Sequence, residues 1–281
     1  MAFSRALEAL RRNFGLVLVP VLSDLFSFLL VFFLLGGGVG RIPPDQLGVK
    51  FALPTIPPSI SDVTEIDFLR LDFGAGGLEV LDRLGGTGVP IFLLLLVISF
   101  LVDSFVTGAF LGLLKDGLAG TRATMQGFFA WGRYFWKRFI LLHLLLALVL
   151  VLAFVFLVPL LLFIPVLGGL LITLAFLVVA ALLVFVEYAL VEEDLEILPA
   201  LEGSVRTVAA NFRPVLLHIL GVAAINLLAS FLVNVIGRFS LLPAILLYAP
   251  VGTYGVFVLY CLYRELHSGG QEEVWPEAGR L

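Results

Sequence analysis

Two acidic residues stand where an acid is costly. Asp24 lies eleven positions after Asn13, and Asp103 twelve before Lys115, each inside an apolar run. At 1.5 Å per helical residue both fall about 16–18 Å from the nearest polar boundary, near the middle of a hydrocarbon layer of about 30 Å. Asn226, thirteen positions after Arg213, reaches a similar depth, and Asn226, Ser230 and Asn234 share one helical face at i, i+4, i+8. Ionisable residues at such depth call for a functional hypothesis. If Asp24 and Asp103 converge, they make a proton or cation site, because two close carboxylates in low dielectric cannot both stay charged. The other reading is that each bonds a Ser or Asn on a neighbouring helix and holds the bundle together.

A second polar layer holds His143, Glu187 and His218, each within about 8 Å of a charged boundary by helical rise. A His-Glu-His set could bind a metal. These three come from separate segments with no local spacing motif, however, and side chains reaching towards the interface account for them, so no metal site is expected. The sequence contains no H-E-x-x-H, no G-x-S-x-G and no Walker motif, which argues against the enzyme classes those motifs mark. No catalytic residue and no cofactor is expected. Cys261 is the only cysteine, so no disulfide forms within the chain.

The elements that position these residues are set by composition. The 281 residues are 61% hydrophobic and 14% charged, against about 25% charged in a soluble domain. The apolar residues gather into runs that predict an all-α polytopic bundle of six spans, at 14–36, 89–114, 139–163, 166–190, 214–236 and 243–264. The run from Phe139 to Val186 is 48 residues, or about 72 Å as a helix, which is two spans. Its turn is expected at Ile164-Pro165-Val166-Leu167-Gly168-Gly169. The first run is longer than a signal-peptide core and is read as an uncleaved span. Of 17 Lys and Arg, twelve fall on alternate connections that include both termini. The positive-inside rule then places both termini in the cytoplasm of a multi-pass plasma-membrane protein.

Three amphipathic segments precede spans one, three and five. The first carries Phe3, Leu7, Leu10 and Phe14 on one stripe. The second carries Phe128, Trp131, Phe135 and Phe139, with Arg122, Gln126, Arg133 and Lys137 on another face. The third carries Leu198, Leu201, Val205, Val208 and Phe212, with Glu202 and Arg206 as an i,i+4 pair. They are expected to lie in the cytoplasmic headgroup layer. Either they mark three copies of one unit, interfacial helix then hairpin of spans, or they have converged on a common need. Ser104, Gly108 and Gly112 form a small-residue face for close packing, within the chain or across a homodimer. The acidic run Glu192, Glu193, Asp194 and Glu196 reads as a solvated bias for the next helix, with Pro199 in its first turn. The connection at 37–88 is expected to form a small outer cap, with short strands at Lys50 to Leu53 and Ile66 to Phe73 and a short helix from Gly77 to Leu84.

Some of these residues resemble a known family. Tyr188-Ala189-Leu190-Val191-Glu192-Glu193-Asp194, Ala200-Leu201-Glu202-Gly203-Ser204 and Asn211-Phe212 are similar to the cytoplasmic link of a group of bacterial multi-span proteins. That group includes the membrane domain of some glycerophosphodiester phosphodiesterases and its uncharacterised stand-alone relatives. Gly127-Phe128-Phe129 and Val258-Leu259-Tyr260-Cys261-Leu262-Tyr263-Arg264 fit the same pattern, so the resemblance spans about residues 120–266. It implies a six-helix membrane domain. It does not imply phosphodiesterase activity, since the soluble catalytic domain has no counterpart here, and the long connection at 37–88 departs from the family's pattern.

The leading expectation is therefore a non-enzymatic scaffold or partner subunit at the lipid interface. The alternative is a small transporter or permease component using the Asp24, Asp103 and Asn226 layer, and a lipid-directed intramembrane enzyme is third. Expected partners are the bilayer and a membrane or cytoplasmic protein. The net charge of −4 speaks against nucleic acid.

Overall fold

A computed structural model of the chain describes residues 2–35, 50, 52–64, 88–163 and 165–267. Nine helices run through them. They are α1 (Ala2–Arg12), α2 (Leu18–Leu35), α3 (Gly88–Leu118), α4 (Met125–Phe163), α5 (Pro165–Leu183), α6 (Val186–Glu192), α7 (Ile197–Ala210), α8 (Phe212–Gly237) and α9 (Leu241–His267). Five helices are long and apolar enough to cross a membrane, and the bent pair formed by α1 and the Phe14–Leu29 stretch makes a sixth candidate. No strand occurs among the described residues, including Lys50, Ala52 and Leu53. The strand expected at Ile66 to Phe73 and the helix expected at Gly77 to Leu84 lie outside the described residues.

The expected spans are all helical, with different boundaries. The segment expected as an interfacial helix ahead of span three is continuous with that span in the 39-residue α4; no Pro or Gly stands between Arg133 and the start of the span at Phe139 to break it. The fourth span is instead divided at Val184 and Phe185 into α5 and α6. The α4–α5 turn falls beside Pro165, which takes the first position of α5, where its missing N–H costs nothing.

Two junctions have the same local structure. At Asn13, φ is −122° and ψ is 41°; at Asn211 they are −127° and 37°. Each Asn side chain donates back to the carbonyl four residues earlier, Asn13 to Ala9 at 3.3 Å and Asn211 to Thr207 at 3.1 Å. Each ends a helix and is followed by a Phe that opens the next. Past Asn13 the chain turns by 88°, so α1 runs nearly perpendicular to the span it precedes.

The faces these helices bury differ from the apolar stripes read in the sequence. Helix α1 buries Ala2, Ala6, Ala9 and Leu10 while Leu7 and Phe14 are exposed. Helix α7 buries Ile197, Ala200, Ser204 and Val208, leaving Leu198 and Val205 exposed and Leu201 half-buried. Small residues let backbones approach, and large apolar ones facing lipid carry no penalty. Phe3 is half-buried as a wedge, stacked on His218 with ring centroids 5.3 Å apart and facing Tyr254 at 6.4 Å.

Helices α3 and α4 make the closest pair. A Cβ added at Gly112 would lie 2.3 Å from Trp131, and one at Gly108 would lie 2.9 Å from Phe135 Cβ. Ser104 Oγ stands 3.1 Å from His143 Nδ1. The Ser104-Gly108-Gly112 face is thus filled by the ridge Trp131, Phe135, Phe139 and His143 of the same chain. Gly132 returns the arrangement by admitting Phe105, against which Phe128 also packs. Arg133 and Lys137 point away from this seam and are exposed.

Candidate functional site

The polar residues of α8 meet a segment of the α2–α3 connection. Residues 52–64 fold back between α2, α3, α8 and α9. Asn226 Nδ2 donates to Ala52 O at 3.0 Å, Ser230 Oγ to Val63 O at 2.5 Å, and Asn234 Nδ2 to Val63 O at 3.1 Å. Thr107 on α3 donates to Ile56 O at 2.8 Å. The segment has room because α9 offers glycines: Pro58 and Pro54 sit where Cβ atoms of Gly252 and Gly255 would be, at 2.5 and 3.0 Å. Gly255 lies fourteen residues from the start of α9, so the segment reaches about 21 Å along that helix. Non-helical backbone at that depth is tolerated only inside protein. Here side chains of two helices, α3 and α8, satisfy its carbonyls at Ala52, Ile56 and Val63.

Asp24 belongs to this system. Its carboxylate accepts from Ser59 Oγ at 2.6 Å and from the Ile60 backbone N–H at 2.9 Å. It thereby holds the start of the short 3-10 turn Ile60–Asp62, whose N-cap is Ser59. Asp62 is equally occupied, accepting from Thr55 N at 2.9 Å, Ser59 N at 3.0 Å and Tyr248 OH at 3.1 Å. Asp24 and Asp62 are 3% and 6% exposed. The sequence marks Asp24, Asn226, Ser230 and Asn234 by depth; their common partner, thirty to two hundred positions away in a polar and proline-rich connection, carries no periodic signal.

Asp103 faces a different setting. It lines a cavity of about 640 Å³ bounded by α2, α3, the α5–α6 break, α9 and residues 53–61. Asp24 is on the same wall lining, but its oxygens are committed to Ser59 and Ile60. Asp103 is exposed on the cavity side and accepts no hydrogen bond from the described residues. Glu187 lines the same cavity, and a charge on Asp103 acts on it directly. Its Oε2 is buried without a hydrogen-bond partner. His143, also on the wall, is held by Ser104 and by edge contact with Phe100. Among the described residues no three His, Cys, Asp or Glu side chains form a metal-ligand group. His218 is remote, bonded to Pro214 O at 2.8 Å and stacked on Phe3.

Glu187 is placed by the break before it. Dividing α5 from α6 frees backbone groups at Leu182 and Phe185. Ser204 of α7, fully buried, repairs both: its Oγ accepts from Phe185 N at 3.2 Å and donates to Leu182 O at 2.7 Å. The acidic run that follows stays exposed at Asp194 and Glu196, but its members also bond to other helices. Lys115 donates to the carbonyls of Val191 and Glu192 at 2.9 Å each. Glu192 meets Arg264 at 3.1 Å and Tyr260 at 2.9 Å. Asp194 binds Tyr134 at 2.8 Å and pairs with Arg138, and Glu193 binds Tyr263 and faces His267 at 3.4 Å. Helices α3, α4 and α9 are therefore clamped to the end of α6. Tyr134 and Asp194 are sixty positions apart, which is why sequence spacing gives no sign of the clamp.

An all-helical chain with this many membrane-length apolar helices, and a polar segment folded among them, defines an integral membrane protein of the helical-bundle class. Residues 1–261 match the model of a family described as a domain of unknown function, DUF7847. The chain belongs to that family, whose description names no activity and no link to glycerophosphodiester phosphodiesterase membrane domains. No curated protein and no solved structure matches the chain.

Proposed function

We propose that this protein is a transporter-type or permease component that holds a polar solute in the cavity between α2, α3, α6 and α9. One observation carries the reading: Asp103 and Glu187 face a cavity of about 640 Å³ without hydrogen-bond partners of their own. Volumes of 300–1,000 Å³ are those of small-molecule sites. A purely structural acid at such depth is bonded, as Asp24 and Asp62 are, whereas an unpartnered one is costly unless a ligand or water completes it. The broken α5–α6 helix and the inserted segment support the same reading, since discontinuous helices and cavity-lining irregular backbone are how membrane proteins build solute sites.

The scaffold reading keeps one observation in its favour. Leu148, Val149, Leu150, Val151 and Leu152 of α4 are all exposed, as are Phe176, Leu177, Val178 and Val179 of α5. Consecutive exposure covers every face of a helix, so lipid or a membrane partner surrounds this arm. The orientation with both termini cytoplasmic rests on the Lys and Arg distribution, and the near-perpendicular α1 suits a place in the inner headgroup layer. The matching Asn13 and Asn211 junctions support a repeated unit in the first and last thirds of the chain.

Thermal unfolding of the purified protein against a library of small solutes tests the proposal. Solutes that stabilise the wild type and lose their effect in Ser99→Trp, which fills the cavity from α3, are the expected result. A library without effect on the wild type would leave the scaffold reading in its place.

A further inference from the structure

We propose that the solute taken by this cavity is an organic cation, an amine whose ammonium group lies between Asp103 and Glu187 and whose apolar body lies along the rest of the wall. The inference rests on the solute-binding reading above and adds the ligand's charge and shape.

Charge decides the first part. Among the described residues no Lys or Arg side chain lines the cavity, while Asp103 and Glu187 both do. Other basic groups bond elsewhere: Lys50 on the Ser61 carbonyl at 3.1 Å, Lys115 on the carbonyls of Val191 and Glu192, Arg264 on Glu192, Arg138 on Asp194. A cavity of this kind concentrates cations and repels anions. Glu187 Oε2, buried without a partner, is an acceptor aimed at nothing the protein supplies.

The remaining wall decides the second part. Phe26, Phe100 and Tyr188 also border the cavity. Aromatic faces beside carboxylates attract ammonium groups through the ring quadrupole. Val102, Val106 and Leu259 complete an apolar surface that a hydrated metal ion would not use, and the absence of a metal-ligand group among the described residues fits an organic cation better.

Three phenylalkyl probes close in size and different in charge test this: phenethylamine, 3-phenylpropanol and 3-phenylpropionate, titrated against the full-length protein in nanodiscs by calorimetry. Phenethylamine is expected to bind in preference to the other two. Asp103→Asn and Glu187→Gln are expected to weaken it about tenfold or more, the scale of a lost charged hydrogen bond, while leaving 3-phenylpropanol unchanged. Equal binding of the amine and the alcohol, or unchanged amine binding in both variants, would overturn the cation inference and leave the solute site standing. Preference for the propionate would also overturn it. Binding of none of the three would overturn the cation inference, and the solute library then decides the solute site separately. Neither acid makes a hydrogen bond within the described residues, so the two variants are expected to unfold at the wild-type temperature, which is measured alongside.

Discussion

Asp24 accepts a hydrogen bond of 2.9 Å from the backbone N–H of Ile60, thirty-six positions further along the chain. The same carboxylate takes the Ser59 hydroxyl, so one acid on α2 fixes the turn that ends the inserted segment. Asp24→Ala leaves the buried Ile60 N–H and the half-buried Ser59 hydroxyl without this acceptor, at about 1–3 kcal/mol each. The expected result is a loss of at least about 2 kcal/mol in unfolding measurements in detergent, with faster alkylation of a cysteine placed at Ser61. Asp24→Asn keeps one acceptor oxygen and is expected to lose less. Equal stability of Asp24→Ala and wild type would show that the segment is held without this acid.

Gly112 tests the α3–α4 seam in the same spirit. A Cβ there would lie 2.3 Å from Trp131 Cγ and 2.5 Å from Trp131 Cβ, so the helices must move apart. Gly112→Ala is expected to destabilise by about 1–3 kcal/mol, the cost of overpacking. Gly203 in α7 has nothing within 4 Å of its added Cβ, and Gly203→Ala is expected to gain up to about 1 kcal/mol from helix propensity. A double-mutant cycle of Gly112→Ala with Trp131→Ala should show strong coupling. Additive effects would mean that the two residues do not share the seam.

These two sites show what the sequence makes legible. Helix content and the candidate spans follow from apolar runs, because in lipid the backbone must bond to itself. The small face Ser104, Gly108 and Gly112 is legible because close packing needs small residues wherever the partner lies. Which face of α1 or α7 is buried is not legible from apolar stripes. Leu7 and Val205 face outwards at no penalty, and Ala6 and Ser204 face inwards. The depth of Asp24 and Asp103 is legible from helical rise; that they serve different systems is not, since Ser59 and Ile60 approach from a connection with no periodicity. The acidic run reads as solvated, and Asp194 and Glu196 are exposed; the partners of the run, Lys115, Arg138, Tyr260 and Arg264, are not legible because they lie on other helices.

Asp194, outside the spans, carries a clear dependence on pH. Its hydrogen bond from Tyr134, then its bond and charge pairing with Arg138, hold its carboxyl below the ordinary value. A group lowered on folding stabilises the folded state above its unfolded pKa of about 3.9, and that contribution fades as pH falls through the folded value. The residue is exposed, so solvent screens the effect and it is small. Asp194 also has φ of +56°, a conformation Gly adopts freely and Asp and Asn tolerate. Asp194→Asn should flatten the acid limb of stability below about pH 4. Asp194→Gly should flatten it equally while being the more stable of the two at neutral pH. An acid limb unchanged by either variant would remove Asp194 from the clamp.

Orientation can be read from the two ends of α8. Phe239, in the turn after α8, is 83% exposed, and the Glu202 side chain on α7, before α8, is 70% exposed. Ser204 is fully buried and unsuited to labelling. The native Cys261 is buried, so introduced cysteines are read against a silent background. On intact cells, a membrane-impermeant maleimide is expected to label Phe239→Cys at once and Glu202→Cys only after permeabilisation. Charge sets this expectation: Arg206 and Arg213 flank the α7 side of α8 and Arg238 marks the turn at the other end, and Lys and Arg are retained in the cytoplasm. The reverse pattern would invert the whole bundle and put the inserted segment on the cytoplasmic side. Labelling of both before permeabilisation would mean that α8 does not cross, and the polar face of Asn226, Ser230 and Asn234 would then have to be explained without a membrane around it.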